Sequence, residues 1–592
     1  MNRLRSMDLR SAWVITVASV AVSMVIAAMA GLTTALPEIA LVTGADSGQM
    51  TWIMDGYTLA LAALLLPAGA LGDRLGRREV LIAGLVIFGL ASLVAIWCTD
   101  PVAMIASRAA CGLGAALIMP TTLSLITTGV PADKRALGIS IWAAVVGAGA
   151  IFGILITGVL LEFFSWKSIF IMFAVVSATI LVLSLTIGTS KDPDPGQFDV
   201  MGAATSVAAV TILVFGLIEA PHLGWTSPVV LLCLVGGIGL GIAFYVGEAR
   251  SPAPLLDVNL FRNRAFAAGS LSVLVQFFLA FGLFFVFLQQ VQLIFGYSPL
   301  KSALALMPIV VGVAGIAPFA TMAVARWHAL KLFIAAGIGA GGVGVVALGL
   351  FDYSEYWMLL FPMMTFAVGL GLAGAPSTAA IMTNTPQDNQ GVGSAVNDTA
   401  RELGAAIGIA ISGSIMAAGF DARIGSTADQ ARDQIDELGR QLAAGGNPAA
   451  AQDAAQQADT VAEHVRQSLA EALAVADALR DQAPGVAATI IDGAKDAWMV
   501  PMSHGYIVVG VVTLVGAAAL AWLTPSRLET PPAAEPDLDL DLDTDDLDLD
   551  TDDLDLDTDD LDLDTDGDTG GDADLDGADD HTPATVTGNT GS

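Results

Sequence analysis

The chain has 592 residues, of which 55% are apolar and only 14% charged; a mean hydropathy of +0.69 excludes an ordinary soluble globular protein. The formal charge of −33 is concentrated: residues 529–592 carry 25 acids and no Lys or Arg, and residues 421–498 carry 13 acids against 6 bases. The tail thus supplies −25 and the loop −7, leaving −1 for the rest, which argues against a nucleic-acid-binding protein.

Apolar runs long enough to cross a hydrocarbon core of about 30 Å recur fourteen times. Their centres lie near Ser23, Ala62, Val86, Leu117, Gly149, Val176, Ile212, Val235, Leu279, Gly312, Gly341, Thr365, Gly408 and Val512. The first run is too long for a cleavable signal peptide, and no A-x-A site precedes the next. Fifteen Lys and Arg residues, among them Arg74, Arg77, Arg78, Lys134, Arg135 and Arg326, fall in gaps on the N-terminal side; only Lys167 and Lys301 fall in the short gaps opposite. Cytoplasmic loops retain positive charge, so both termini are expected in the cytoplasm. Cys98, Cys111 and Cys233 lie in or beside these runs without paired spacing, so neither a disulfide nor a metal site is expected.

The spacing predicts a six plus two plus six arrangement: an N-terminal six-helix bundle over 1–190, two linker helices over 191–264, and a C-terminal six-helix bundle over 265–528. The last bundle includes an outward-facing insertion at 421–498. There Ile435, Leu438 and Leu442, and then Val461, Val465, Leu469 and Leu473, recur at helical spacing around "GGNP" at 445–448, which predicts an external helical hairpin; the alternative is a solvated Ala-rich spacer. The segment 529–592 repeats "DLDLDTD", whose alternating carboxylates cannot bury a core, so a disordered Asp-rich cytoplasmic tail is expected.

Four stretches carry candidate chemistry. In "GALGDRLGRREVL", 69–81, Gly69 and Gly76 permit close approach and tight turning, while Asp73, Arg74, Arg77 and Arg78 are placed to pair across an interface. Arg108, inside the fourth span, costs roughly 2.5–3.5 kcal/mol to insert, so it should face a cavity or a partner and not lipid. Asp55 lies near the outer end of the second span. In "SAVNDTARELG", 394–404, three charges share one apolar helix. Asp398 and Arg401 stand three apart and either neutralise each other or act separately; Glu402 has no obvious local partner, and a carboxylate there can gain and lose a proton as water and substrate exchange. The run "FFLAFGLFFVF", 277–287, either supplies aromatic faces for a lipophilic cation or packs as core.

The 69–81 loop resembles the signature loop of the major facilitator superfamily, Gly-x-Leu-(Ala/Gly)-Asp-Arg-x-Gly-Arg-(Lys/Arg), with every defining position present. Together with fourteen spans, "GYSPLKSALALMP" at 296–308 and "SAVNDTARELG", it is similar to the fourteen-span drug:proton antiporters of the QacA/EmrB type over roughly residues 12–420 and 496–524. The resemblance implies an all-α integral membrane protein of the major facilitator fold in a bacterial plasma (inner) membrane. It implies a cytoplasmic latch at Gly69, Asp73, Arg74, Gly76, Arg77 and Arg78. It assigns proton coupling or substrate binding to Asp55, Arg108, Asp398, Arg401 and Glu402. Three positions depart from the pattern: Ala28 stands where many members have Asp, Val313 where some multidrug members have an acid, and "GAGAIFGILITG" lacks the Gly-Pro of the fifth-span motif.

The expected function is proton-coupled efflux of amphipathic, cationic drugs or toxic compounds, with the proton motive force as energy source and no cofactor. No enzyme is expected, and no P-loop points to ATP. Expected partners are a small-molecule substrate, protons and the lipid bilayer, no nucleic acid, and an unidentified partner of the tail or hairpin. One alternative is an exporter of a neutral or anionic metabolite, lipid or antibiotic; an alternative of another class is a non-transporting membrane scaffold.

Overall fold

The structure, a computed structural model, describes residues 8–45, 47–191, 197–351, 355–444 and 448–526. Among these every regular element is helical, as a lipid environment demands, since a helix satisfies its backbone hydrogen bonds within one segment. Fourteen helices are long and apolar enough to cross a membrane, and each expected centre falls inside one of them. The acidic tail, the "GGN" at 445–447, and Arg3, Arg5 and Arg527 lie outside the described residues.

Within the first half, the second span (Ser47–Leu75) packs along the fourth (Pro101–Gly129), and the first (Leu9–Ala30) along the fifth (Ala132–Phe163). Within the second half, the ninth span (Arg264–Gln289) packs along the thirteenth (Gln390–Ala444), and the eleventh (Leu330–Leu350) along the fourteenth (Pro484–Leu523). The halves meet along two seams, second against thirteenth and fifth against tenth (Pro299–Trp327). The seventh span (Val200–Leu223) lies against both the second and the thirteenth, so it closes one seam from outside. The eighth (Pro228–Glu248) packs chiefly on the seventh and leaves most of its apolar surface exposed, as a lipid-facing helix does.

The ninth and thirteenth spans approach closely because the thirteenth presents Gly404 and Gly408: a Cβ on either would collide with backbone of the ninth, at Leu274 and Phe278 respectively. Small-residue stripes of this kind let transmembrane backbones meet, and van der Waals packing then holds them.

The insertion is more than a hairpin. The thirteenth helix runs on without a break for 55 residues, about 80 Å at 1.5 Å per residue and more than twice the hydrocarbon thickness. The fourteenth likewise begins far outside, 40 residues in all. Two further helices, Pro448–Gln467 and Leu469–Leu479, complete a four-limbed cap. The stripe Val461, Val465, Leu469, Leu473 is therefore split between two helices. Ser468 makes the break by accepting the Glu471 N–H at 3.2 Å, an N-cap that starts the second. Alanine richness here serves packing: Ala428, Ala431, Ala458, Ala462, Ala472 and Ala476 are all buried in an apolar cluster that continues into the second half's core. The cap stands at the end of the bundle opposite the Gly76 turn, because the thirteenth helix starts beside that turn and ends in the cap.

Candidate functional site

At one end of the second–thirteenth seam the sequence "GDRLGRR" builds a latch. Gly76 adopts φ 110°, a conformation that favours glycine, and so turns the second span into the third (Arg77–Ala95). This brings Arg77 back onto Asp73, 2.6 Å between guanidinium and carboxylate, both buried. The Asp73 carboxylate crosses the seam and accepts the backbone N–H groups of Gly391 at 2.8 Å and Val392 at 3.0 Å. These are first-turn amides of the thirteenth helix, left without partners in their own helix, and an anion there also meets the positive end of the helix dipole. Arg77 adds bonds to the carbonyls of Gln387 (3.1 Å) and Asp388 (3.3 Å). Gly69 lets the helices touch, since a Cβ would strike the Gly391 carbonyl. Arg74 and Arg78 stay within the first half and linker, donating to the carbonyls of Gln197 (2.8 Å) and Ile187 (3.1 Å).

Arg108 is wholly buried inside the first half and has no carboxylate partner among the described residues. Its guanidinium donates to the carbonyls of Ile53 (3.2 Å) and Ala28 (3.1 Å) and lies 4.4 Å from the Tyr57 ring centroid. The Tyr57 hydroxyl in turn donates to the Val25 carbonyl at 2.8 Å. The Arg108 charge is thus held by backbone dipoles and a ring face.

Between the halves lies a cavity of about 60 Å³, room for a few waters and far below the roughly 300–1,000 Å³ of drug-sized sites. The halves must part to admit such a molecule. Its wall is apolar and aromatic, with Phe277, Phe281 and Phe284 of the ninth span, Val313 of the tenth, and the side chains of Arg401 and Glu402. Positions 277, 281 and 284 share one helix face, so the aromatic run divides: these three line the cavity, while Phe278 and Phe287 are core.

The three charges of the thirteenth span are all buried. Asp398 and Arg401 make no ion pair among the described residues, and the connection between them is indirect. Arg401 Nη2 donates to Thr378 Oγ1 (3.3 Å), Thr378 Oγ1 to Asn397 Oδ1 (3.1 Å), and Asn397 Nδ2 to Asp398 Oδ1 (3.1 Å). The guanidinium itself lies over two rings, 4.6 Å from the centroid of Trp142 on the fifth span and 5.0 Å from that of Phe277. Arg401 Nε and Nη1, Asp398 Oδ2 and Glu402 Oε2 have no hydrogen-bond partner among the described residues. Buried polar groups are nearly always satisfied; with Thr399 Oγ1, five unsatisfied atoms fall within the five residues 398–402.

Asp55 does not line the cavity. It is half-buried on the second span one turn from Trp52, whose ring lies 5.5 Å from Phe215 of the seventh span, and Glu219 of that span is a like charge in its neighbourhood. The structure thus brings Arg401 and Glu402 to the cavity, sets Asp398 behind them, and leaves Arg108 and Asp55 in separate places. Sequence reasoning missed Trp142, Thr378 and Asn397. The one signal for Trp142 was a lone tryptophan in mid-span, and Asn397 adjoined a charge already singled out.

Two helical halves joined by a linker pair, a latch at one end and a charged cavity midway define a membrane transporter. The chain belongs to the Major Facilitator Superfamily, whose profile matches residues 18–409. It is 32% identical over 424 residues to the multidrug efflux pump LfrA of Mycolicibacterium smegmatis, covering 70% of this chain and 84% of that one. It is 31% identical to the methyl viologen resistance protein SmvA of Salmonella typhimurium (66% and 79% covered) and 31% identical to the cephamycin export protein CmcT of Amycolatopsis lactamdurans (64% and 80% covered). The crystal structure of the human organic anion transporter MFSD10 superposes with a TM-score of 0.51 over 69% of this chain and 94% of that one; at 15% identity this is a likeness of fold.

Proposed function

We propose that the chain is a proton-coupled exporter of amphipathic organic cations in a bacterial plasma membrane, with the latch and both termini cytoplasmic and the cap outside. The observation that carries this reading is Glu402: a buried carboxylate with one unpartnered oxygen, on the wall of an aromatic cavity between the two halves. Such a group offers a proton a home when the cavity is wet and offers a cation a counter-charge when it is loaded. Exchange of one for the other, with the halves rocking about the site, is antiport. Asp73 holds the cytoplasmic end shut in the conformation described. The names of LfrA and SmvA support a cationic, multidrug range. No enzymatic step is required.

The test is transport in inside-out vesicles under an imposed pH gradient, with ethidium, methyl viologen, an anionic β-lactam and a neutral aromatic compound. The reading expects uptake of the two cations, abolished by a protonophore. Gradient-driven uptake of only the anionic or neutral compound would overturn it.

A second reading has its own observations. Arg401 brings a positive charge to the cavity wall, Val313 adds an apolar side chain to it, and one relative is named a cephamycin export protein. A neutral or anionic antibiotic would then be the cargo.

A further inference from the structure

The guanidinium of Arg401 is itself a planar organic cation. It lies over the rings of both Trp142 and Phe277, which come from opposite halves of the molecule, on the wall that also holds Glu402. A planar cationic drug would need the same features: two ring faces and a nearby carboxylate. The cavity is too small to hold both. Meanwhile Asp398, one turn before Arg401 on the same helix, keeps its Oδ2 buried and unpartnered, within the i, i+3 reach at which helical side chains meet.

We infer that Arg401 is a tethered stand-in for the cargo: it fills the aromatic slot while the transporter is empty, and an arriving organic cation displaces it onto Asp398. This rests on the cation-export reading above. In the empty state the slot is occupied and Asp398 Oδ2 is idle. In the loaded state Arg401 pairs with Asp398, the ring faces and Glu402 pass to the cargo, and none of the three charges of the thirteenth span is left without a counterpart. Because Trp142 belongs to one half and Arg401 to the other, the stand-in also keeps the empty halves together and its displacement releases them. The arrangement accounts for why an acid and an arginine three residues apart do not pair in the conformation described.

The apparent affinity for cargo is lowered by the fraction of molecules whose slot is filled. The experiment measures ethidium binding to the detergent-solubilised full chain by fluorescence anisotropy, in the native chain, R401Q, D398N and the double variant. Removing the stand-in should tighten ethidium binding about tenfold, the scale of one desolvated cation–π contact. D398N takes away the alternative partner of Arg401, so it should weaken binding about tenfold when Arg401 is present and change it less than about twofold in the R401Q background. R401M replaces R401Q where the latter does not survive extraction. The inference is overturned if R401Q and R401M bind ethidium no tighter than the native chain. It is equally overturned if D398N weakens binding by the same factor in both backgrounds, which is what simple loss of a negative charge would do. A native chain that neither binds nor exports ethidium strikes the export reading itself. A native chain that exports it, with no tightening in R401Q, strikes only the stand-in.

Discussion

Asp73 and Glu402 are both buried carboxylates at the face of the thirteenth helix, and their surroundings could hardly differ more. Asp73 accepts two backbone N–H groups across the seam and pairs with Arg77 at 2.6 Å. Glu402 keeps an oxygen without a hydrogen-bond partner among the described residues. A fully satisfied charge is a fastener: each charge-assisted bond contributes roughly 1.5–3 kcal/mol, and the geometry admits one arrangement. An unsatisfied one on a cavity wall is retained at a cost to stability, and in the proposed function it is the site of exchange. Two further buried arginines, Arg108 and Arg401, repeat the contrast. Arg108 is held wholly within one half, whereas Arg401 is gripped by rings from both.

Removing the fastener should have the largest effect. Asp73→Ala loses two cross-seam bonds, roughly 3 kcal/mol together, and shifts the balance between closed and open latch about a hundredfold. Ser394, fully buried beside the latch, reports it: in a background with Cys98, Cys111 and Cys233 replaced, Ser394→Cys should label slowly with a maleimide and rapidly once Asp73 is Ala. Equal labelling would mean that the latch does not hold the seam.

A smaller effect separates packing from charge. Gly404→Ala drives a methyl into the Leu274 carbonyl of the ninth span and should cost about 2 kcal/mol, seen as a lower midpoint in a thermal assay in detergent. Gly239→Ala on the exposed eighth span meets nothing within 4 Å and should be neutral or slightly stabilising, by up to about 1 kcal/mol of helix propensity. Equal losses at both would show that glycine flexibility, and not close approach, is what the thirteenth helix needs.

The smallest effect expected is from deleting residues 529–592. Export and its dependence on the pH gradient should stay within about twofold of the native chain, because the proposed proton and cargo groups all belong to the spans. Loss of export would assign the acidic repeat a part in transport.

The spans and the latch were legible because both obey local rules: hydrocarbon thickness fixes the length of an apolar helix, and the latch is a contiguous loop. Arg401 and Glu402 were legible as buried charges in an apolar run. Their partners were not. A spacing of three on a helix makes Asp398 and Arg401 potential neighbours, but it cannot register the competing ring of Trp142, about 260 residues earlier in the chain. The cap was read as a hairpin because the stripe from Val461 to Leu473 keeps helical period across the break at Ser468. Nor does period reveal that the spans on either side continue unbroken into the cap.

The most direct test of the account concerns Glu402. In reconstituted vesicles carrying an imposed pH gradient, ethidium accumulation and the accompanying proton movement are followed together in the native chain and in Glu402→Gln, an uncharged isostere that keeps the shape of the cavity. The account predicts that the variant loses gradient-driven accumulation at least a hundredfold, with no ethidium-dependent proton movement, while still folding and closing its latch. Accumulation at the native rate with proton movement intact would contradict it.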